Sequence, residues 1–540
     1  MNYREMLRRS LLTALFIFCC PISAWAQSTA VDEHFGWASV LPALITITAA
    51  LVLRSVIPAL FLGVWLGAWL IAGFNVAGLW HGLLNSFQIY TLDAFADPDH
   101  AAIILFSFMI SGLVGIITLN GGTRGIVNSI SHLAYSRRRG QLATLFMGLI
   151  VFIDDYANTL IVGNTMRPIT DRLHISREKL AYLVDSTAAP VAALALVTTW
   201  IGYEVGLIGE ALESIDAFDT SPYLLFLNSI AYSFYPLLCI LLLLLVCWTG
   251  RDIGPMIAAE RRSVSSELAP PTLMPATKKV RIPERAVNAL APILILIGGV
   301  AVGLFATGEG ESLRSIIETA DPYRALMWAS LVAVLVALGM SLAQRLASLD
   351  ELLEAWTGGV KSIVPAMIIL ILSWALAGTA DVLGTADFLA SILGDTLPAG
   401  ILPALVFLIA AVTAFSTGTS WGTMGILMPL AVPLAWSLSQ QNGIAELYVL
   451  HSTIAAVLAG AVWGDHCSPI SDTTILSSMA SGCDHLEHVK TQLPYALLAG
   501  GVALFVGVIP SGFGFPWWLS LIGGAALLAT VLRIFGRSSL

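Results

Sequence analysis

Apolar runs of roughly 18 to 25 residues alternate with short polar segments along nearly the whole chain, each long enough to cross a hydrocarbon core of about 30 Å as a helix. The first run differs. Arg4, Arg8 and Arg9 precede the short apolar stretch 11–20, and Ala24-Trp25-Ala26 follows it. A basic start, a short apolar core and an A-x-A end read as a secretory signal peptide over residues 1–26, cut after Ala26. An uncleaved first helix is the other reading, and under both the segment 27–36 lies outside the cytoplasm.

Lysine and arginine then set the direction of each crossing. Helices are expected at 38–53 (inward), 57–73 (outward) and 101–119 (inward), the last ending near Arg124 and Arg137-Arg138-Arg139. The next run, 141–163, is followed by Arg167, Arg172, Arg177 and Lys179. A single crossing would put these four cations outside. A stretch 141–170 that enters and turns back keeps them inside, so the Asp154–Thr159 region is expected at the tip of a re-entrant hairpin. Backbone of that kind is tolerated at membrane depth only where protein or water covers it. A helix at 179–203 then leads to an external loop with Glu204, Glu210, Glu213, Asp216 and Asp219, and 223–249 returns. The basic, proline-containing segment 250–286 is a cytoplasmic linker. Beyond it come spans at 287–305 and 324–343, an amphipathic surface helix at 346–360, and a span at 361–379. A second hairpin follows at 401–436, interrupted by Ser416 to Thr423. Helices at 449–480, 493–512 and 516–532 complete the count.

The order of elements repeats: three helices, a hairpin with a polar tip, a polar-interrupted helix, one more helix. The first copy (38–249) starts outside and the second (287–512) starts inside, with 516–532 as an extra C-terminal helix. Such inverted repeats place a binding site near the bilayer midplane. The fold class read from this is an all-α polytopic membrane protein.

Composition agrees: 57% of residues are hydrophobic and 11% charged, against about a quarter charged in soluble domains. No basic stripe with interleaved aromatics appears, so the net charge of −9 gives no reason to expect a nucleic-acid partner. The six cysteines form no disulfide framework or zinc spacing, and His485 and His488 read as solvated rather than metal-binding.

Four polar interruptions carry the candidate chemistry. They are Asp154, Asp155, Asn158 and Thr159; Asp185, Ser186 and Thr187, with Pro190; Thr417, Thr419 and Ser420; and Asp465, Ser468, Asp472 and Thr473, with Pro469. Proline removes a backbone donor and frees carbonyls. With carboxylate, hydroxyl and amide oxygens these form a hard-oxygen set suited to a small cation such as Na⁺, with Asp155, Asn158, Asp185 and Asp465 as its proposed ligands. Acids inside a membrane cost some 2.5 kcal/mol or more at its centre, which makes them a functional hypothesis by default. A buried carboxylate that takes either a proton or a cation is the smallest device that exchanges one for the other. Plainer roles stand beside this one: Asp154 and Asp155 as caps of the hairpin turn, Asp185 and Asp465 as caps of half-helices, the Ser/Thr run as packing between helices, and His466 as a structural hydrogen-bonder.

The segments FIDDYANTLIVG (152–163), DSTAAPVA (185–192), FSTGTSWGTMGILMP (415–429) and GDHCSPISDTTILSS (464–478), with VIPALFLGVWLGAWL (56–70), resemble the signature stretches of the NhaC-type Na⁺/H⁺ antiporters of the ion transporter superfamily. The resemblance runs from about residue 38 to 512. It implies paired inverted repeats with two hairpins and two broken helices, a homodimer, and an elevator-like movement of the substrate site. Exchange of Na⁺ or Li⁺ for H⁺ across a bacterial inner membrane is the function expected, with no cofactor beyond the transported ions and with membrane lipid and a small cation as partners. The same family holds carriers of organic acids and amino acids, so coupled transport of a small carboxylate or amino acid is the alternative. No Lys or Arg at midplane is available to such a substrate, although half-helix N-termini could serve. An intramembrane aspartyl protease, echoed by Gly464-Asp465 and Asp155-Tyr156, is not expected to carry inverted repeats.

Overall fold

The computed structural model describes residues 35–538 apart from 54, 132–133, 214, 216–219, 266–282, 311–315, 317–318, 394–396 and 445. The segment read as a signal peptide, Asp216 and Asp219, and residues 266–282 of the linker lie outside the described residues.

The described chain is almost entirely helical. In order, the longer elements of the first half are α1 (Leu41–Leu53), α2 (Val56–Ile71), α3 (Pro98–Leu119), α4 (Arg137–Ile150), α5 (Asp155–Arg172), α6 (Arg177–Asp185), α7 (Ile201–Glu213) and α8 (Phe234–Thr249). The second half has α9 (Val287–Thr307), α10 (Pro322–Ala343), α11 (Leu349–Val382), α12 (Leu402–Thr417), α13 (Ser420–Gln441), α14 (Tyr448–Cys467), α15 (Asp472–Ser481), α16 (His485–Val502) and α17 (Trp517–Phe535). Among the described residues, nine helices are long and apolar enough to cross a membrane. A two-residue antiparallel pair, β1 (Arg251–Asp252) with β2 (Arg537–Ser538), joins the chain just after α8 to its C-terminal end.

Two boundaries differ from the pattern-based expectation: the expected external loop from Glu204 to Glu213 is helical, as α7, and the start of α11 lies earlier. Residues 346–360 and 361–379 form a single continuous helix, α11, instead of a surface helix and a separate span. Ser348 and Glu351 make a full capping box that starts the helix. Neither Gly358-Gly359 nor Pro365 ends it, so the amphipathic segment is the first part of the span.

The hairpin-plus-broken-helix unit appears twice. α4 and α5 form the first hairpin, with residues 151–154 at its tip; α12 and α13 form the second, with Gly418 and Thr419 at its tip. α6 stops at Asp185 and the same stretch resumes as helix at Ala189–Ala192 and then α7; α14 stops at Cys467 and resumes as α15. The packing is crossed. α6 rests on the first hairpin and α7 on the second, whereas α14 rests on the second and α15 on the first. Each broken helix thus bridges both hairpins, and the four interruptions meet between them.

Local sequence explains the tips. Asp154 caps α5 by accepting from the Ala157 N–H at 2.7 Å, and Thr419 caps α13 through Gly422. Gly418 ends α12 with φ +71°, and a Cβ there would lie 2.5 Å from the Ile470 carbonyl oxygen. Left-handed backbone costs an L-residue about 1–2 kcal/mol. Gly418→Ala is therefore expected to lower the apparent melting temperature and displace the second tip, readable as lost transport in vesicles that hold a normal amount of protein.

Two charged residues sit deeper than their sequence context indicates. Glu204, expected in an external loop, is fully buried in α7, with neither carboxylate oxygen paired among the described residues. Lys179, expected at a cytoplasmic surface, is fully buried in an ion pair with Asp252, which also accepts from the Tyr495 hydroxyl at 2.7 Å.

Candidate functional site

The polar interruptions form two connected regions. The first is an open cleft of about 560 Å³ between the two hairpin tips and α15. Asp154, Asp155 and Tyr156 line one wall, Thr417 and Thr419 another, and Asp472 a third. Three helices begin here, α5, α13 and α15, so their N-terminal ends face the cleft together with three carboxylates.

The neighbouring aspartates are not equivalent. Asp154 uses both oxygens: one accepts from the Ala157 N–H and the other from the Thr199 hydroxyl at 3.1 Å. It is the cap of the hairpin turn as well as a wall of the cleft. Asp155 is 2% exposed. Its Oδ1 has no partner in hydrogen-bond geometry among the described residues, although the Trp200 indole lies beside it. The Tyr156 phenol stands within electrostatic reach of Asp154, Asp155, Asp465 and Asp472 and so connects the first hairpin to the second broken helix.

Asn158 and Thr159 hold the hairpin in place. The Asn158 amide donates to the carbonyls of Gly148 and Thr187, each at 2.8 Å, tying both arms of the hairpin to the break after α6. Its Oδ1 has no donor among the described residues. Thr159 bonds back to the Asp155 carbonyl at 2.8 Å, and the Thr187 hydroxyl bonds back within its own helix. In the second half the Ser468 hydroxyl donates to the Phe415 carbonyl at 2.7 Å, tying the break after α14 to its hairpin in the same manner. Asn158→Ala should lower the apparent melting temperature by removing two bonds, each worth about 0.5–1.5 kcal/mol net. Asn158→Asp should be worse, because an acceptor would then face two carbonyls; a thermal shift assay on the pair reads the order.

The second region lies behind the cleft and is closed. Asp185 is buried, and its Oδ2 accepts from the Gln492 amide at 2.5 Å and the Thr474 hydroxyl at 3.2 Å. Nε2 of His488 and of His466 lie at 3.5 and 3.7 Å. Asp185 Oδ1 has no donor among the described residues. Ser186 contacts His466 Nε2 at 3.2 Å, and Tyr235 contacts its Nδ1 at 2.6 Å. Asp465 is buried nearby and accepts from Thr473 at 3.1 Å, which in turn contacts Ser471. Ser420 is buried and makes one long contact, 3.5 Å to the Ala461 carbonyl. The sequence-based set is therefore brought together around the crossing of the two broken helices. It does not line a single surface: Asp185, Ser186 and Asp465 lie among the buried groups, and only Asp154, Asp155, Thr417, Thr419 and Asp472 face the open cleft.

The profile of one protein family matches residues 191–513, from the first broken helix through α16. The chain belongs to the Na⁺/H⁺ antiporter family. This antiporter is 32% identical over 507 residues, 92% of its length and 94% of the other's, to an uncharacterized protein of Haemophilus influenzae. It is 32% identical over 146 residues, 27% of its length and 30% of the other's, to the malate-2H⁺/Na⁺-lactate antiporter of Bacillus subtilis. Its fold resembles the YdaH transporter of Alcanivorax borkumensis with a TM-score of 0.51, at 15% identity, over 84% of this chain and 89% of that one.

Several groups of the antiporter's site carry no signal in the linear pattern. His488 and Gln492 reach Asp185 from a helix whose start reads as a solvated end, and Tyr156 stands out in sequence only as a neighbour of Asp155. His466 is a hydrogen-bonder, as its plainer reading has it, but to Ser186 and Tyr235 beside a buried carboxylate.

Proposed function

We propose that this antiporter exchanges Na⁺ for H⁺, with cation and proton competing for the carboxylates at the meeting of the first hairpin and the broken helices. The observation that carries the reading is that Asp155 Oδ1, Asn158 Oδ1 and Asp185 Oδ1 are buried acceptors with no donor among the described residues. Buried acceptors left unpaired cost about 1–3 kcal/mol each, more when charged. A cation bound at such an acceptor would satisfy it, and a proton on a carboxylate would relieve the charge when none is bound. Asp155 is the exchanging group in this scheme. It lines the open cleft, and its Oδ1 has no hydrogen-bond partner among the described residues. Asp465 takes part through Tyr156, and Asp185, gripped by Gln492 and Thr474, fixes the cluster's charge.

The test is Na⁺-dependent dissipation of a pH gradient in everted vesicles. Wild type should respond to Na⁺ but not K⁺, and Asp155→Asn and Asp465→Asn should both be silent. Unchanged exchange in both variants would remove these residues from the site.

A second reading has one observation in its favour. A cleft of about 560 Å³ falls in the range of small-molecule sites, about 300–1,000 Å³, and three helix N-termini at its walls suit a carboxylate group. Coupled transport of a small carboxylate or amino acid would use that space. Labelled acid uptake driven by a Na⁺ gradient separates the two, since the first reading requires exchange with no organic solute present.

A further inference from the structure

A second cluster lies away from this site, where α3, α7 and α11 meet. His100, in the first turn of α3, is 6% exposed, and its ring stacks on Trp374 of α11 with centroids 3.6 Å apart and 5° between planes. Its Nδ1 lies 2.7 Å from the Ala94 carbonyl oxygen. A carbonyl can only accept, so Nδ1 carries the proton and, in the neutral ring, Nε2 presents its lone pair. That lone pair faces Glu210 of α7: Nε2 and Oε2 are 2.9 Å apart. The Glu210 side chain is 10% exposed, and apart from this ion-pair contact with His100 its Oε2 has no hydrogen-bond partner among the described residues. Glu213, one turn further along α7, completes a set whose ligating atoms lie within 4.8 Å of one another. A cavity of about 420 Å³, also lined by Asp99, Thr220 and Tyr323, opens beside them.

We propose that His100, Glu210 and Glu213 form a binding site for a Zn²⁺-class divalent cation, distinct from the transport site, that ties α3 to α7. Metal-ligating histidines commonly donate their far N–H to a backbone carbonyl or carboxylate, because that bond sets both tautomer and ring direction. One imidazole nitrogen with two carboxylates favours Zn²⁺ or a similar transition ion over Mg²⁺ or Ca²⁺, which take oxygen ligands. Three protein ligands leave the fourth position to water from the adjoining cavity, so the ion would enter and leave. The device has a mechanical consequence. α7 is half of the first broken helix and packs on the second hairpin, whereas α3 packs on α10 and α11. An ion shared by α3 and α7 fixes the broken helix against its neighbours and slows any cycle that needs them to shift. The charge pattern puts this end of both helices on the outer side, where an external metal would reach it.

The test uses purified full-length protein stripped with EDTA and titrated with ZnCl₂ by calorimetry, then assayed for Na⁺-driven exchange with Zn²⁺ outside. The expected result is one ion per chain, not displaced by excess Mg²⁺, with affinity roughly tenfold or more weaker in His100→Asn and in Glu213→Gln. Glu213 is exposed, so its variant should fold even if the His100 variant does not. Zn²⁺ should slow exchange by the wild type and not by Glu213→Gln. No saturable binding, or binding unchanged in both variants, would reduce the cluster to a His–Glu ion pair. Binding without slowing would overturn the clamp. The binding arm does not depend on what the antiporter transports.

Discussion

Asp155→Asn is expected to abolish Na⁺/H⁺ exchange while Asp154→Asn keeps most of it, although the two residues are adjacent. Asparagine caps a helix about as well as aspartate, so the first-hairpin cap at Asp154 survives its substitution, including the bond from the Ala157 N–H. At Asp155 no cap is at stake; the substitution removes a buried charge with an uncommitted oxygen. Leaving a buried charge without its partner costs about 3–5 kcal/mol, which corresponds to a hold on the cation weaker by more than roughly 100-fold. Vesicles matched for protein content should show this loss for Asp155→Asn at every Na⁺ concentration tested. Equal loss in both variants would mean that the pair acts as a unit, and the asymmetry argued from their hydrogen bonds would fail.

The largest expected effect on stability lies elsewhere, in the buried Lys179–Asp252 pair. Lys179 is fully buried, and Asp252 is held by both the Lys179 ammonium and the Tyr495 hydroxyl. The pair joins α6 to β1, and through β1 to the C-terminal end of the chain. Asp252→Ala leaves an ammonium in a closed pocket between the Tyr182 and Tyr495 rings, at a cost of about 3–5 kcal/mol. The double change Lys179→Met, Asp252→Ala removes both charges and should recover a large part of that loss, since apolar replacement of a buried pair is often close to neutral. Thermal unfolding in detergent of the two single variants and the double variant closes the cycle. A double variant as unstable as the sum of the singles would show that the charges do not interact.

The sequence carried much of the architecture because a membrane makes patterns loud. Two acids inside an apolar run, with basic segments on both sides, leave a re-entrant turn as the arrangement that obeys the charge rule, and Asp154 stands at that turn. Gly418-Thr419 reads as a tip because glycine ends one helix and threonine caps the next. What stayed hidden depends on neighbours from distant parts of the chain. Glu204 has the composition of a loop residue, yet α7 carries it into the interior. Lys179 is the last of the four cations of a surface segment, yet its partner comes 73 residues later. The split of the candidate set into an open cleft and a closed cluster was equally illegible. It depends on Gln492, Thr474 and His488 reaching Asp185 from the other half of the chain. The join of 346–360 to the following span rests on a capping box, a local signal carried by Ser348 and Glu351 that charge boundaries do not reflect.

The central claim is competition between one cation and one proton for Asp155. Purified protein in weakly buffered detergent solution, mixed with NaCl while pH is recorded, tests it most directly, with KCl as the control for ionic strength. The account predicts proton release that saturates with Na⁺ in the wild type and is absent from Asp155→Asn. Saturable Na⁺ binding without proton release, or release that persists in Asp155→Asn, would contradict it.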